Sequence, residues 1–403
     1  MEADIAVIGA GALGLSTALQ CALRGRSVAV VDREAAGSQA SGRAAGLFKS
    51  VQPDQARTVL ARRSIELAAH FEEWAGAPLA VQRTGSFLVA RTPQHQAFLQ
   101  AELAQSCRWG VDVREAGPAE LADRAPYYQP SGAELAVWCP EDIYIEEPGQ
   151  LMQAYLDACR RHGVEILESE PATAILTSGG HVTGLETTSR PITAAIVVDA
   201  AGAWARQVGE LAQAWVPVAP VRHQLLITEP SDSIQATDPI IRVIDAATYL
   251  RAARGGLMVG AFEPDPLPLD PRHQPSSFTT DDVPLDLGQL RKMAGQVSAE
   301  VPLASAQVAE HRGGLFTMSP DGRFLAGPVP DIAGLWVASG CNGSGFSSSP
   351  ALGEMLATAI TQDAPPASPG GFSPGRFGHL TDQALTEKGI WQYAHYYDPA
   401  HSA

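Results

Sequence analysis

Three glycines at a tight spacing, Gly9, Gly11 and Gly14, follow the apolar run Ile5 to Ile8 and lead into Leu15 to Leu23, a stretch of helix-forming composition. The chemistry this spacing suits is the binding of a pyrophosphate. The first glycine permits the turn, the second lets backbone approach the phosphates, and the third allows helix and strand to pack closely. Unpaired N–H groups at the helix N-terminus then face the anion. A second apolar run, Ser27 to Val31, ends at Asp32, about 20 residues on, where a carboxylate accepts ribose hydroxyls, with Arg33 beside it. A dinucleotide without a 2′-phosphate is implied, and this pattern alone leaves FAD and NAD both open. Near the other end, Gly340-Cys341-Asn342-Gly343-Ser344-Gly345-Phe346 is an uncharged loop feeding a helix-like stretch, Pro350 to Leu356. Such a loop offers N–H donors and a positive dipole end to a second anionic group.

Positioning these residues requires a parallel strand–helix–strand unit at the N-terminus and a returning segment from the far end of the chain. At 403 residues the chain exceeds what one hydrophobic core usually supports, so two domains are expected. Lys and Arg total 28 against 44 Asp and Glu, a formal charge of -16 that disfavours nucleic acid and anionic membrane as partners. The five cysteines, Cys21, Cys107, Cys139, Cys159 and Cys341, are scattered and form no C-x-x-C pair, which argues against zinc and disulfides and for a reducing cytoplasm. The uncharged run Ile5 to Leu23 approaches the length of a membrane span, but its acidic flank (Glu2, Asp4) and its glycines mark it as strand, turn and helix.

Three further segments resemble the D-amino-acid oxidase superfamily of flavoproteins, which includes glycine oxidase, sarcosine oxidases and dehydrogenases, and dimethylglycine dehydrogenase. Ser41-Gly42-Arg43-Ala44-Ala45-Gly46 is similar to the family's S-G-R-N-A-G element, with Ala44 in place of Asn. Val197 to Trp204 is similar to its A-G-A-W strand end, and Thr317 to Gly322 with Gly340 to Phe346 resemble its T-P-D-G and G-x-x-G-x-G elements. The resemblance runs from Ile5 to about Phe377. It implies FAD, held at Ser41, Arg43, Ala44, Ala45 and Gly46, at Ala201, Gly202 and Trp204, and at Gly314 and the 340–346 loop, with Gly163 to Ile166 and Ala172 meeting adenine. Some relatives tether flavin through residues at the positions of Gly314 or Arg43; neither residue here forms that bond, so FAD is expected to be non-covalent.

The implied fold is α/β (α+β overall), a Rossmann-type FAD-binding domain (1–84, 145–220 and 311–377) interleaved with a substrate domain (85–144 and 221–310) on a mainly antiparallel sheet. Residues 378–403 form a tail whose cluster Trp391, Tyr393, Tyr396 and Tyr397 packs on the body or meets a partner. Residues 265–284, rich in Pro, Asp and Ser, read as an exposed loop or lid.

The resemblance also implies oxidation of the C–H bond next to nitrogen. Tyr249-Leu250-Arg251 resembles a Y-x-R element at the pocket wall, which makes Arg251 the expected clamp for a substrate carboxylate and Tyr249 its neighbour. Val221-Arg222-His223-Gln224 resembles the H-Q element of the sarcosine and dimethylglycine dehydrogenase branch, so His223 is expected to orient substrate or accept a proton. Lys49, His311 and Arg312 are further candidates near the flavin. Met258 stands where monomeric sarcosine oxidases carry an oxygen-activating Lys, which leans towards a dehydrogenase with a separate electron acceptor, and Phe262 stands where they carry His. The expected substrate is a secondary or N-methyl amino acid. Glycine or a D-amino acid, a non-catalytic FAD-binding subunit of a hetero-oligomer, and a nicotinamide-dependent dehydrogenase remain the alternatives.

Overall fold

The computed structural model describes residues 1–362 and 371–398. The last residues of the expected tail, 399–403, lie outside the described residues.

Two large sheets organise the chain. The first has six strands in the order Leu325–Pro328, Leu335–Ser339, Ile196–Asp199, Ile5–Ile8, Val28–Val31, Glu165–Leu167. Its centre is parallel, with Ile5 opposite Ile196 on one side and Val28 on the other. All four residues of the central strand and of Val28–Val31 are buried, as strands covered on both faces must be. The helix Ala12–Ala22 is buried from Ala12 to Cys21 and carries no charge. It crosses the helix Gly345–Thr361 so closely that a Cβ on Gly353 would lie 2.3 Å from Ser16 Oγ. This contact ties the glycine fingerprint to the loop at the far end of the chain.

The second sheet has eight strands in the order Val308–Met318, Ala219–Thr228, Gly256–Ala261, Thr248–Ala253, Ile240–Val243, Ser86–Ala90, Leu135–Cys139, Arg114–Ala116. It is antiparallel except where Ile240–Val243 runs parallel to Ser86–Ala90. The boundary expected at 311 falls inside the strand Val308–Met318, whose residues pair along the whole of Ala219–Thr228. Cross-strand register places Arg312, Leu225, Gly260, Tyr249 and Arg242 in one row across this sheet, because each is the direct partner of the next. Directly opposed residues point to the same face, so this row presents its side chains together.

The C-terminal helix Asp382–Ala394 lies against this sheet; a Cβ on Gly389 would sit 2.5 Å from the Cβ of Ala219. Residues 265–284 are less free than a lid. Arg272 pairs with Asp270, Glu210 and Asp382, Arg43 pairs with Asp281, and Gln39 Oε1 accepts from both the N–H and the hydroxyl of Thr280. Among the described residues no helix is long and apolar enough to cross a membrane, and no group of His, Cys, Asp and Glu is placed to hold a metal ion.

Candidate active site

One cavity of about 780 Å³ runs between the two sheets, from Asp32 and Ala172 at one end to His223 and Tyr397 at the other.

At the Asp32 end the structure fits a dinucleotide. A Cβ on Gly9 would meet the carbonyl oxygen of Ala200 at 2.5 Å, and one on Gly14 would meet that of Gly9 at 1.8 Å, so neither position admits a side chain. Asp32 is fixed by the N–H of Ala10 (2.7 Å) and the N–H of Glu34 (2.9 Å), leaving lone pairs towards the cavity for hydroxyl donors. Ser41 Oγ accepts from the N–H of Ala12 and caps the fingerprint helix. Arg43 spends Nη2 on Asp281 at 2.5 Å, while its buried Nε has no partner among the described residues. A buried unpaired donor in a cavity wall is costly unless a ligand satisfies it, and a pyrophosphate oxygen would do so. Arg33 stacks its guanidinium 4.4 Å over Trp204 and donates to the carbonyl of Phe278.

Ala44, Ala45, Gly46, Ala172, Ala201, Gly202, Gly314, Gly343, Ser344, Gly345 and Phe346 line the same cavity. The helix that begins at Gly345 has no side-chain cap, so its first N–H groups are free for an anionic acceptor. Gly14, Gly340 and Asn342 act at one remove. Asn342 has φ of +49° and its amide holds the N–H of Ser319 and the carbonyl of Gly340, which shapes the loop from behind. Gly163 to Ile166 do not reach the cavity; the strand Glu165–Leu167 is an edge of the first sheet, and Pro171 and Ala172 form the wall instead. Gly314 offers no side-chain atom for a covalent tether.

The opposite end is built on the second sheet. The imidazole of His223 is buried, stacked 4.1 Å from the ring of Phe316, and hydrogen-bonded through Nε2 to the hydroxyl of Tyr249 (2.9 Å) and through Nδ1 to that of Tyr393 (2.7 Å). Burial pushes its pKa down to about 3, so the ring is neutral at physiological pH. It therefore orients its partners rather than storing a proton. Phe262 stacks on Tyr396 at 4.1 Å, and Tyr397 meets Phe262 edge-on. Tyr249, Phe262, Phe316, Tyr396 and Tyr397 all line the cavity, and among the described residues no carboxylate lines this end. Tyr249 reaches His223 because strand neighbour Gly260 is bare: a Cβ there would lie 2.0 Å from the tyrosine ring.

Arg251 is not in the cavity wall. Its fully buried guanidinium donates to the carbonyls of Ala45 (2.8 Å), Glu146 (2.8 Å) and Ala252 (2.5 Å), and it stacks on Tyr144. The expected carboxylate clamp is thus a backbone brace, with its hydrogen-bonding capacity spent on chain that runs past the flavin-binding segment. His311 also stands outside the cavity, bonded to Gln224 Oε1. Arg312 and Lys49 do line it; Nε and Nη2 of Arg312 are buried without partners among the described residues, and the Lys49 ammonium lies 5.6 Å over the Tyr397 ring.

Sequence reasoning passed over Arg242. It interrupts the apolar strand Ile240–Val243, and a charge inside such a run is itself a signal of a partnered or functional residue. The tail tyrosines were visible as a cluster, but their contact with His223 was not.

Comparison with known proteins follows the same lines. Residues 4–359 match the DAO family, described as FAD dependent oxidoreductase. The chain is 27% identical over 391 residues to 4-methylaminobutanoate oxidase (formaldehyde-forming) of Paenarthrobacter nicotinovorans, covering 95% of this chain and 47% of that protein. It is 26% identical over 400 residues to mitochondrial dimethylglycine dehydrogenase of Rattus norvegicus, covering 96% and 46%. It therefore spans about half the length of these curated relatives. The structure of L-proline dehydrogenase from P. horikoshii superposes with a TM-score of 0.83 at 25% identity, over 94% of this chain and 99% of that one. With a dinucleotide cradle that fits FAD and a family match across most of its length, the chain belongs to the DAO family of FAD-dependent oxidoreductases.

Proposed function

We propose that the protein oxidises the C–H bond next to nitrogen in a small secondary or N-methyl amino acid, the imine product then being hydrolysed in water. Bound FAD supplies the hydride acceptor. The observation that carries the reading is the neutral wall formed by His223, Tyr249, Phe262, Phe316 and Tyr396 at the end of the cavity.

For hydride to leave, the nitrogen lone pair must be free, so the amine must be bound without its proton. A pocket of rings in which no described residue offers a carboxylate disfavours an ammonium by desolvation, and Arg242, Arg312 and Lys49 in the same wall act in the same direction. The site thus favours the reactive form through its field. The hydrogen-bonded row Tyr249, His223 and Tyr393 fixes the Tyr249 hydroxyl as the polar group among the rings, where it orients the nitrogen. The names of the relatives support a secondary or N-methylated amine: a methylaminobutanoate, dimethylglycine and L-proline.

Met258 is buried among Leu225, Ile227 and Ala253 and offers no cation to assist oxygen, which favours an electron acceptor other than oxygen. The free cysteines, four of them buried, support a cytoplasmic setting. The test is an absorbance spectrum of the purified yellow protein before and after anaerobic addition of sarcosine, dimethylglycine, 4-methylaminobutanoate, L-proline, glycine and D-amino acids. Bleaching by the N-alkylated members alone supports the reading, and admission of air then separates oxidase from dehydrogenase. Bleaching by glycine or D-amino acids alone replaces it, and a flavin that no amine bleaches supports a binding subunit.

A further inference from the structure

With Arg251 spent on backbone carbonyls, the amine pocket needs another group if its substrate carries a negative charge, and a buried arginine in the same wall supplies one. Arg242 is 2% exposed and lines the cavity. Its Nη1 donates to Ser86 Oγ (2.9 Å) and Asp142 Oδ2 (3.0 Å), and these are its only hydrogen bonds among the described residues. The rest of the guanidinium fork is available to a ligand.

Asp142 is a holder for this arginine rather than a competitor for its remaining N–H groups. Its carboxylate already accepts from the N–H of Ser50 (2.7 Å), the hydroxyl of Ser50 (2.6 Å) and the hydroxyl of Ser86 (2.6 Å) in addition to Arg242. A buried guanidinium anchored through one nitrogen by a saturated carboxylate is rigid, which is what a bidentate carboxylate site requires.

Tyr397, from the segment after the C-terminal helix, lies within the field of Arg242 and lines the cavity beside it. The Lys49 ammonium also stands beside Tyr397, 5.6 Å from the ring. Lys49 also lines a small side cavity of about 40 Å³ together with Glu102, whose carboxyl pKa is raised by burial and lowered by Lys49 and Arg57.

We propose that Arg242 and Lys49, both beside Tyr397 in the cavity wall, form the subsite that anchors the substrate's carboxylate, set apart from the amine, which lies among the rings near Tyr249. The inference rests on the amine-oxidation reading above and deepens it: the substrate is an N-alkyl amino acid whose anionic end reaches Arg242, and the C-terminal segment is part of the specificity wall.

The experiment is anaerobic titration of the FAD-loaded, full-length protein with matched pairs, each an N-methyl amino acid of increasing chain length and its neutral carboxamide, reading the apparent Kd from flavin bleaching. A charge-assisted fork of this kind predicts that the carboxylate binds about 10- to 100-fold more tightly than its amide at the preferred length. Lys49→Met, Tyr397→Phe and Arg242→Lys should each lower that ratio, with Arg242→Lys, which keeps the charge beside Asp142 and loses the fork, lowering it about tenfold. Thermal melting and FAD content of each variant verify folding, and the Lys49 and Tyr397 variants carry the test if Arg242→Lys does not fold. Equal affinity for acid and amide in the unaltered protein, or a ratio that survives in every folded variant, overturns the subsite while leaving amine oxidation standing. A flavin that no member of any pair bleaches overturns the amine-oxidation reading and the subsite with it.

Discussion

The hydroxyl of Tyr393 lies 2.7 Å from Nδ1 of His223, although the two residues are 170 positions apart. The other ring nitrogen is 2.9 Å from the hydroxyl of Tyr249. A neutral imidazole has one N–H donor and one acceptor nitrogen, so the two tyrosines cannot play the same part: one donates to the ring and the other accepts from it. The tail helix therefore has a hold on the polarity of the hydroxyl that faces the cavity.

Tyr393→Phe should test that hold. The change leaves Nδ1 of a buried histidine without a partner, which costs about 1–3 kcal/mol of stability. It also frees the imidazole to change tautomer, so amine binding should weaken while FAD content stays full. Urea denaturation and an anaerobic titration of flavin bleaching measure the two effects, and unchanged substrate affinity would leave Tyr393 as a packing residue.

Gly260→Ala attacks the same row from the strand beneath it. The new Cβ would overlap the Tyr249 ring at 2.0 Å, so the ring must leave its place and its bond to His223 is lost. FAD binding is expected to persist, because Gly260 lies outside the cavity wall, whereas substrate affinity should fall at least about tenfold, the equivalent of one lost charge-free contact network of about 1.4 kcal/mol. Equilibrium dialysis of FAD and titration with amine report these separately.

The depressed pKa of His223 has a direct consequence for stability. In the unfolded chain a histidine takes up its proton near pH 6.5, while the native ring, pushed down to about 3 by burial, refuses it until far lower pH. Between these values the unfolded state binds more protons, so stability falls as pH falls, by about 1.4 kcal/mol per pH unit once the unfolded ring is protonated. His311, lowered by burial and by Arg222, adds in the same direction. Urea midpoints at pH 7, 6 and 5 should decline for the native protein and decline less steeply for His223→Gln; parallel lines for the two would mean that His223 is protonated in the fold.

Arg251→Lys distinguishes a brace from a clamp. A lysine cannot serve the carbonyls of Ala45, Glu146 and Ala252 together, so the variant should lose about 2–4 kcal/mol of stability. Its preference for a carboxylated substrate over the matching amide should be unchanged. Loss of that preference at full stability would restore the clamp.

The parts of the site legible in sequence are those where function is written in consecutive residues. Gly9, Gly11, Gly14 and Asp32 act through local backbone geometry at fixed spacing, and Ser41, the run Arg43 to Gly46 and the run Gly343 to Phe346 likewise line the cavity. Arg251 was misplaced for a reason of the same kind. The resemblance of Tyr249-Leu250-Arg251 to a Y-x-R element implies a place at the pocket wall; the carbonyls of Ala45 and Glu146 that close over Arg251 come from elsewhere in the chain. Arg242 was missed because its meaning depends on Asp142, 100 positions away, and the tail tyrosines because theirs depends on His223. Pairings at such separations are set by packing, which no local pattern encodes.

Asp199 closes the strand Ile196–Asp199 beside the glycine turn, buried, with Oδ1 accepting from the N–H of Ala201 at 3.1 Å and Oδ2 without a partner among the described residues. Burial pushes its pKa up to about 8, so the native carboxyl keeps its proton at neutral pH while the unfolded one gives it up near 3.9. A folded-state pKa above the unfolded value means a contribution fully present below about pH 3.9 and lost progressively as pH rises towards 8. Asparagine mimics the protonated acid in shape and has no proton to lose. Asp199→Asn should therefore match the native protein near pH 4 and exceed its stability by more than about 1 kcal/mol at pH 7 and above, the gap widening with pH. Denaturation of the apoprotein at pH 4, 6 and 8 measures that gap. A variant less stable than the native protein at pH 8 would show that Asp199 is ionised in the fold and that its charge is needed beside the turn.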